Sequence, residues 1–336
     1  MKHASRLSAT AALAALGLAA GGGALAADLP AVITIAGPSQ AASGYVMATG
    51  YGTVITKYTS IRKVVVQPFA GGEAWPSHMQ AGNVNFGQHC AFKPVIEAYR
   101  GEGVFKNAGP MRNIRHVARG YGLAWGFHTV DSDVKRIADL KGKSVFYQPS
   151  HTDLENAVKI VLSDAGLTLN KDVKGLPFRS PQEAIQGLRT GRGGTMAYGA
   201  IPGLAELKRG KGVRTLPLSD ATMDKIYESE PIWGKTVIKA GTGPTAPAED
   251  TPTLQVQCGL AAGTQTSADT VYAVTKAIYE HLDEWKSVHP LARQWTLARA
   301  LDIFVVPYHD GAVRFYKEKG VWTAQHEARQ KALLAN

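Results

Sequence analysis

Cysteine is scarce in this chain, and metal-ligand spacings are missing. Only Cys90 and Cys258 occur among 336 residues, which is too few for a disulfide framework, and their spacing fits no zinc motif. We expect two small buried residues, and a single disulfide stays open as an alternative in an oxidising compartment. The ten histidines include no pair spaced by three residues, the spacing that places two ligands on one helix face. The sequence therefore predicts neither a metal nor a cofactor.

Signatures of catalysis are missing as well. No Gly-x-Ser-x-Gly turn, which would carry a nucleophile, occurs in the sequence. His309 beside Asp310 is therefore expected as a capped surface residue or a packing residue and not as half of a catalytic triad. Catalysis would require a recognisable base, nucleophile or metal. We predict a protein that is not an enzyme, with an exported hydrolase or transferase on the same fold as the alternative.

The first 26 residues have the pattern of a secretory signal. Lys2 and Arg6 precede an apolar run at residues 9–20, and the small residues Ala24 and Ala26 stand at −3 and −1 of a cleavage site before Ala27. The run is too short for a membrane anchor, which needs roughly 20 apolar residues. No later stretch is apolar for long enough to span a bilayer. We therefore expect a periplasmic protein.

The charge balance favours a small acidic ligand. Loss of Lys2 and Arg6 with the signal lowers the net charge from +10 to +8. No run of five or more basic residues is present, and export argues against nucleic acid as a partner. We expect a monomer that binds a small anion.

Short apolar strands alternate with helical stretches, as in an α/β protein with largely parallel sheets. A helix is expected near Ser43, a second with Thr152 and Glu155 as a capping box, a third capped by Ser180, and a long one over residues 271–285. Strands are predicted at residues 31–36, 64–69, 84–87, 114–128, 144–147, 195–198 and 254–261.

Two extended segments divide this pattern into two lobes. The pattern restarts after residues 114–128, and residues 254–261 return the chain. Residues 27–118 and 255–336 are predicted to form lobe I, and residues 119–254 lobe II, each with a central, mostly parallel sheet. Ligands of such folds bind in the cleft at the carboxyl ends of the strands.

The loops at those strand ends resemble the TAXI family of solute-binding proteins, the receptors of one branch of TRAP transporters. The resemblance rests on Ile-Ala-Gly-Pro-Ser-Gln-Ala-Ala-Ser-Gly-Tyr at residues 35–45, Gly-Gly-Glu-Ala-Trp at 71–75, and Asn-Phe-Gly-Gln at 85–88. Tyr-His-Asp-Gly-Ala at 308–312 and Phe-Tyr-Lys-Glu-Lys-Gly at 315–320 extend it to the carboxyl end. The family implies a periplasmic binding protein of two lobes that closes on a small organic acid and delivers it to a membrane-embedded TRAP permease.

One departure from the family concerns the ligand. Glu73 stands where the family carries a neutral residue. In the cleft it would repel a second carboxylate or bind an amino group. An ATP-driven importer or a sensor kinase remains an alternative partner.

Helix starts and hydroxyl groups are expected to hold the ligand. The first N–H groups of a helix lack intrahelical partners and favour negative charge, so the carboxylate is expected to be held by neutral groups. Arg179 and Arg119 are alternative charge partners for the ligand, but most arginines are solvated, so both are left outside the predicted site. The twelve predicted ligand-binding residues are Ser39, Gln40, Ser43, Tyr45, Gly72, Trp75, Gln88, Tyr147, Ser150, His151, Thr152 and Tyr198.

Overall fold

A computed structural model describes residues 28–335, apart from residues 41, 70, 91, 209, 211 and 231. The predicted signal peptide lies outside the described residues. The described chain has a mixed α/β fold with a central sheet. None of its helices is both long enough and apolar enough to cross a bilayer.

Ten strands form the sheet in the described part of the chain. They are β1 (Val32–Gly37), β2 (Lys63–Pro68), β3 (Phe86–Cys90), β4 (Ile114–Thr129), β5 (Ser144–Tyr147), β6 (Lys174–Pro177), β7 (Thr195–Gly199), β8 (Arg214–Leu216), β9 (Trp233–Ile238) and β10 (Thr251–Gly263).

Eleven α-helices occur in the same residues. They are α1 (Ser43–Tyr58), α2 (Pro76–Gln80), α3 (Lys93–Arg100), α4 (Thr152–Asp164), α5 (Pro181–Thr190), α6 (Pro202–Lys208), α7 (Asp220–Ser229), α8 (Ala268–Glu280), α9 (Leu282–Trp285), α10 (Asp310–Glu318) and α11 (Ala324–Ala335).

The sheet contains two groups of parallel strands joined by two long antiparallel ones. Its order is β2-β1-β3-β10-β4-β7-β5-β6, with β8 paired to β4 and β9 to β10. The first group, β1 to β3, is parallel, and so is the second group, β5 to β7. β10 pairs with β3 near one end and β9 near the other, while β4 pairs with β10 and then with β7. The predicted α/β class is confirmed.

The long strand β4 is continuous through Gly120 and Gly122. A Cβ atom at Gly120 would lie 2.4 Å from the Trp295 ring, and one at Gly122 would lie 1.9 Å from the Gln255 side chain. These glycines therefore admit neighbouring side chains and do not mark a turn.

Two helix predictions are wrong in detail. Thr152 and Glu155 do not form a capping box, because His151 is the N-cap residue of α4 and Thr152 is already its first helical residue. The helix expected over residues 271–285 is interrupted at His281, between α8 and α9. The break lets the buried Trp285 indole donate a hydrogen bond of 2.9 Å to the Ile278 carbonyl. Ser180 does cap α5, accepting from the Glu183 N–H.

The open question about the cysteines has a structural answer. Cys90 on β3 and Cys258 on β10 are register partners and form a disulfide. Cys258 is buried, as expected, whereas Cys90 is half-buried and its sulfur lies 3.2 Å from the Tyr121 hydroxyl. The disulfide ties the first strand group to the long strand by which the chain returns from the second group.

Candidate ligand site between the two strand groups

A cavity of about 70 Å³ lies between the carboxyl ends of the two strand groups. The segments after β1 and β2 and the last residues of β3 line one side of it, and the segments after β5 and β6 with the end of β7 line the other. Parallel strands place their carboxyl ends at the same edge, so both groups direct their loops to this cavity. The position agrees with the cleft expected from the sequence.

Six of the twelve predicted site residues line this cavity. They are Ser39, Gly72, Trp75, Gln88, His151 and Tyr198. Of these, Gln88 is already engaged, since its side-chain carbonyl accepts a hydrogen bond of 3.0 Å from the Tyr51 hydroxyl. The structure thus brings together predicted residues from both strand groups.

The other three predicted residues of the loop at positions 35–45 lie away from the cavity. Gln40 is exposed. Ser43 is buried, with its hydroxyl 3.1 Å from the Tyr121 hydroxyl, and it does not cap α1 because Ala42 is the N-cap residue. Tyr45 lines a separate groove along α1 and β2.

The predicted residues at positions 147–152, around the end of β5, also contribute less than expected. Tyr147 packs against Gly175, where an added Cβ would lie 2.9 Å from its ring. Ser150 is exposed and lines a neighbouring groove with Phe178. The Thr152 hydroxyl is buried and has no hydrogen-bond partner among the described residues.

Helix α1 presents an uncapped amino end to the cavity. Its N-cap residue, Ala42, lines the cavity and offers no side-chain acceptor. Ser39 lies just before it, and the Ala42 N–H donates to the Ser39 carbonyl at 2.8 Å. The first N–H groups of a helix without a cap carry partial positive charge, so this end suits an anion.

Three buried polar groups around the cavity lack protein partners in the described residues. They are the Trp75 Nε1–H, the Gln148 side-chain carbonyl and Nδ1 of His151. The three side chains are only 3%, 4% and 8% exposed. A buried polar group without a partner costs roughly 1 to 3 kcal/mol, so the cavity is built to be completed by a polar ligand.

The tautomer of His151 follows from its one hydrogen bond. The Gly72 N–H donates to Nε2 of His151 at 3.2 Å, so Nε2 is an acceptor and the neutral ring carries its proton on Nδ1. Burial lowers the pKa of His151 to about 4, which keeps the ring neutral at ordinary pH. His151 therefore offers a neutral N–H donor, as Trp75 does.

Sequence reasoning missed three polar contributors to the cavity. Gln148, which directly follows β5, was not among the predicted site residues. Arg179 lines the cavity beside Pro181 at the start of α5, and no other arginine or lysine among the described residues does so. His89 on β3 stacks near Trp75, with ring centroids 6.1 Å apart. Only Gln148 had a usable sequence signal, because it directly follows a predicted strand.

Glu73 is not among the residues that line the cavity. It faces the start of α4, and burial raises its pKa to about 7. Burial outweighs the lowering of the pKa by the backbone N–H of Glu73 itself and, more weakly, by the Thr152 N–H. A carboxylate of the chain itself thus stands at the helix start that the sequence assigned to the ligand.

Two residues set aside at the sequence level have structural positions. His309 caps α10 by accepting from the Gly311 N–H at 3.2 Å, a role that was not predicted, and it is buried. Arg119 is 1% exposed on β4, where its Nε donates to the Gln257 side-chain carbonyl at 3.0 Å. Arg119 does not line the cavity.

Solved structures of binding proteins are similar to this chain at low identity. The alkanesulfonate-binding protein SsuA of Xanthomonas axonopodis pv. citri, bound to MOPS, is 17% identical over 91% of this chain and 96% of its own, with a TM-score of 0.48. The aliphatic sulphonate binding protein SsuA of Escherichia coli is 17% identical over 90% and 92%, with a TM-score of 0.46. A TctC solute binding protein from Polaromonas is 13% identical over 90% and 98%, with a TM-score of 0.44.

The profile of one protein family matches the chain from the middle of β1 to just beyond α10. The match covers residues 35–320, which include both strand groups and every segment that lines the cavity. This chain belongs to the NMT1-like family.

Proposed function

We propose that this protein is a periplasmic solute receptor that binds a small organic acid between two lobes and has no catalytic role. The observation that carries the proposal is the set of buried, unpartnered polar groups around one cavity: Trp75 Nε1–H, His151 Nδ1–H and the Gln148 carbonyl. A ligand with a polar acceptor group would accept hydrogen bonds from the two N–H donors.

An anion fits this cavity better than a cation. The uncapped end of α1 and the Arg179 side chain both favour negative charge, and the two ring N–H groups donate to acceptors. The volume of about 70 Å³ suits a compact acid of a few heavy atoms. The carboxylate class rests on the resemblance to the TAXI family.

The same resemblance suggests how the receptor works. Residues 27–118 with 255–336 would form one lobe and residues 119–254 the other, with β4 and β10 as the connections. Closure would bring the loops of the two strand groups over the ligand, and the closed receptor, acting as a monomer, would deliver it to a TRAP permease. A gene for a TRAP permease beside this one supports that partner, whereas a gene for an ATP-binding subunit favours an ABC importer.

A thermal-shift panel tests the ligand class. Acetate, pyruvate, succinate and glutamate are compared with glucose and putrescine at equal ionic strength. A ligand that binds only the folded form at a hundredfold excess over its Kd stabilises by about 2.7 kcal/mol. A rise in Tm with at least one acid supports the proposal. A response confined to glucose or putrescine would exclude the acid assignment.

A further inference from the structure

A cluster of acidic side chains lies where the two strand groups meet, beside the cavity but outside its lining. Lys93 on α3 and Glu230, directly after α7, form an ion pair of 2.5 Å, and their side chains are 26% and 11% exposed. Asp153 on α4 and Glu73, after β2, lie close to this pair. Lys93 and Glu73 belong to the first half of the chain, and Asp153 and Glu230 follow β4. The cluster is therefore part of the contact between the two halves.

Asp153 is the most enclosed member. It is 1% exposed, and neither of its carboxylate oxygens has a hydrogen-bond partner among the described residues. The charged groups that face it are Glu230, Glu73 and Lys93, so two negative groups oppose one positive group. The single ammonium is already engaged with Glu230. Asp153 thus has no counter-ion of its own.

Glu73 is in a similar position on the opposite side of the contact. Both of its oxygens are buried and unpartnered within the described chain, and the acidic group that faces it is Glu97 on α3. Glu97 in turn faces Lys93, Glu230 and Glu102. Around this contact, carboxylates outnumber cations, and Lys93 is the positive charge that faces both Asp153 and Glu97.

Ionised carboxylates without partners are too costly to bury, and the cheaper state is the neutral acid. Burial raises the pKa of Asp153 to about 7, and it raises that of Glu73 to about 7. Separation of the two halves would expose both groups to water and remove this penalty.

We propose that closure of the receptor takes up protons, because Asp153 and Glu73 are buried as neutral acids in the closed form and ionise when the halves separate. This inference rests on the hinged closure of the proposed function. Low pH holds the loops over the ligand, and rising pH opens them.

The direction and size of the pH effect on closure follow from proton linkage. A group whose pKa is raised in the closed form favours closure below its ordinary value near 4, and that advantage is lost as pH rises towards 7. Between pH 5 and pH 8, each group acting alone would lower the ratio of closed to open molecules on the order of 50-fold.

Distances between two spin labels test the inference without a known ligand. Labels at Ser77→Cys on α2 and Lys159→Cys on α4 report the separation of the halves, since both positions are exposed and the native cysteines are bonded to each other. We expect the separation to lengthen between pH 5 and pH 8. D153N combined with E73Q should remove the change, and each single variant should reduce it. E249Q, at an exposed position, should behave as wild type.

The outcomes separate this inference from the proposed function. Equal separations at pH 5 and pH 8 overturn proton-linked closure, and so does an unchanged pH response in all three variants of the cluster. Pyruvate and succinate are then added at pH 5 and pH 8. A label separation that changes with an acid but not with pH leaves the proposed receptor function intact. A separation that changes with neither contradicts the proposed hinged closure.

Discussion

The Gly72 N–H donates a hydrogen bond of 3.2 Å to Nε2 of His151, joining loops from the two strand groups at the edge of the cavity. The contact spans 79 residues of sequence and is buried. It also fixes the ring proton on Nδ1, the nitrogen without a protein partner in the described structure. His151 therefore joins the two loops through Nε2 and offers its Nδ1–H as a donor to a ligand.

His151→Ala should weaken ligand binding. The change removes the acceptor for the Gly72 N–H and the free ring N–H together, and loss of a buried hydrogen bond costs roughly 1 to 3 kcal/mol. Calorimetric titration with the acid that gives the largest thermal shift measures the loss. His326→Ala on α11, away from the cavity, is the matched control and should bind as wild type. Equal affinities for both variants would show that His151 does not contact the ligand.

Gly87→Ala should disturb the site through Trp75. An added Cβ at Gly87 would lie 2.6 Å from the Trp75 ring, so the indole must move. Overpacking of this kind costs roughly 1 to 3 kcal/mol of stability, and the displaced indole would no longer present its N–H to the ligand. Urea unfolding and titration of the same variant measure both effects. Gly194→Ala, where the nearest atom would lie at 3.4 Å, should leave both values near wild type.

The alternation of strands and helices was enough to predict the fold class and the placement of most elements. β5 (Ser144–Tyr147) lies where it was expected, and β4 and β10 were identified as the long extended segments. Local sequence could not predict the first residue of α4. His151 is its N-cap residue and contacts Gly72 from the other strand group, which local sequence does not show.

The candidate site was only half predictable for a related reason. Ser43 has the sequence context of a helix cap, yet its hydroxyl pairs with Tyr121, 78 residues away. Arg179 has no sequence feature that distinguishes it from other exposed arginines. Only the fold shows that the segment between β6 and α5 lines the cavity. Residues that directly follow strands were identified more often, since a strand end has a fixed place in a parallel sheet.

Three substitutions will show which groups hold the negative charge. Arg179→Ala and Ser39→Ala should both weaken binding of the acid, because both residues line the cavity. Ser150→Ala should have little effect, because Ser150 is exposed and lies in the neighbouring groove. Titrations at two ionic strengths add a second readout, since only the arginine contribution should be screened by salt. A large loss for Ser150→Ala alone would restore the loop before α4 as the anchor.

Removal of the disulfide should lower stability. Cys90 and Cys258 close a loop with a sequence separation of 168 residues, and a native disulfide contributes roughly 2 to 5 kcal/mol, mainly by restricting the unfolded chain. Urea unfolding of the double variant Cys90→Ser and Cys258→Ser measures the loss. Wild type unfolded in the presence of a reductant should match that variant. Unfolding curves that coincide with the oxidised wild type would show that the bond contributes nothing.

His128 should make the fold sensitive to acid. Its ring is fully buried, Nε2 lies 3.0 Å from the Tyr198 carbonyl, and burial lowers its pKa from 6.5 to about 4. Because the pKa is depressed in the folded state, the stabilisation is present above pH 6.5 and is lost as pH falls towards 4, where the unfolded chain binds a proton first. His128→Gln lacks the titrating group. Between pH 7 and pH 4.5, wild type should therefore lose about 2 kcal/mol more than this variant in urea unfolding.

The control for His128 removes a hydrogen bond from the same network without removing a charge. Nδ1 of His128 lies 3.0 Å from the Thr215 hydroxyl, which bonds the Thr245 hydroxyl at 3.0 Å. Thr245→Val should lower stability by a constant amount at both pH values, because no group that it touches changes its protonation state. If His128→Gln also differs from wild type by a constant amount, His128 does not gain a proton on unfolding and acid sensitivity must come from other groups.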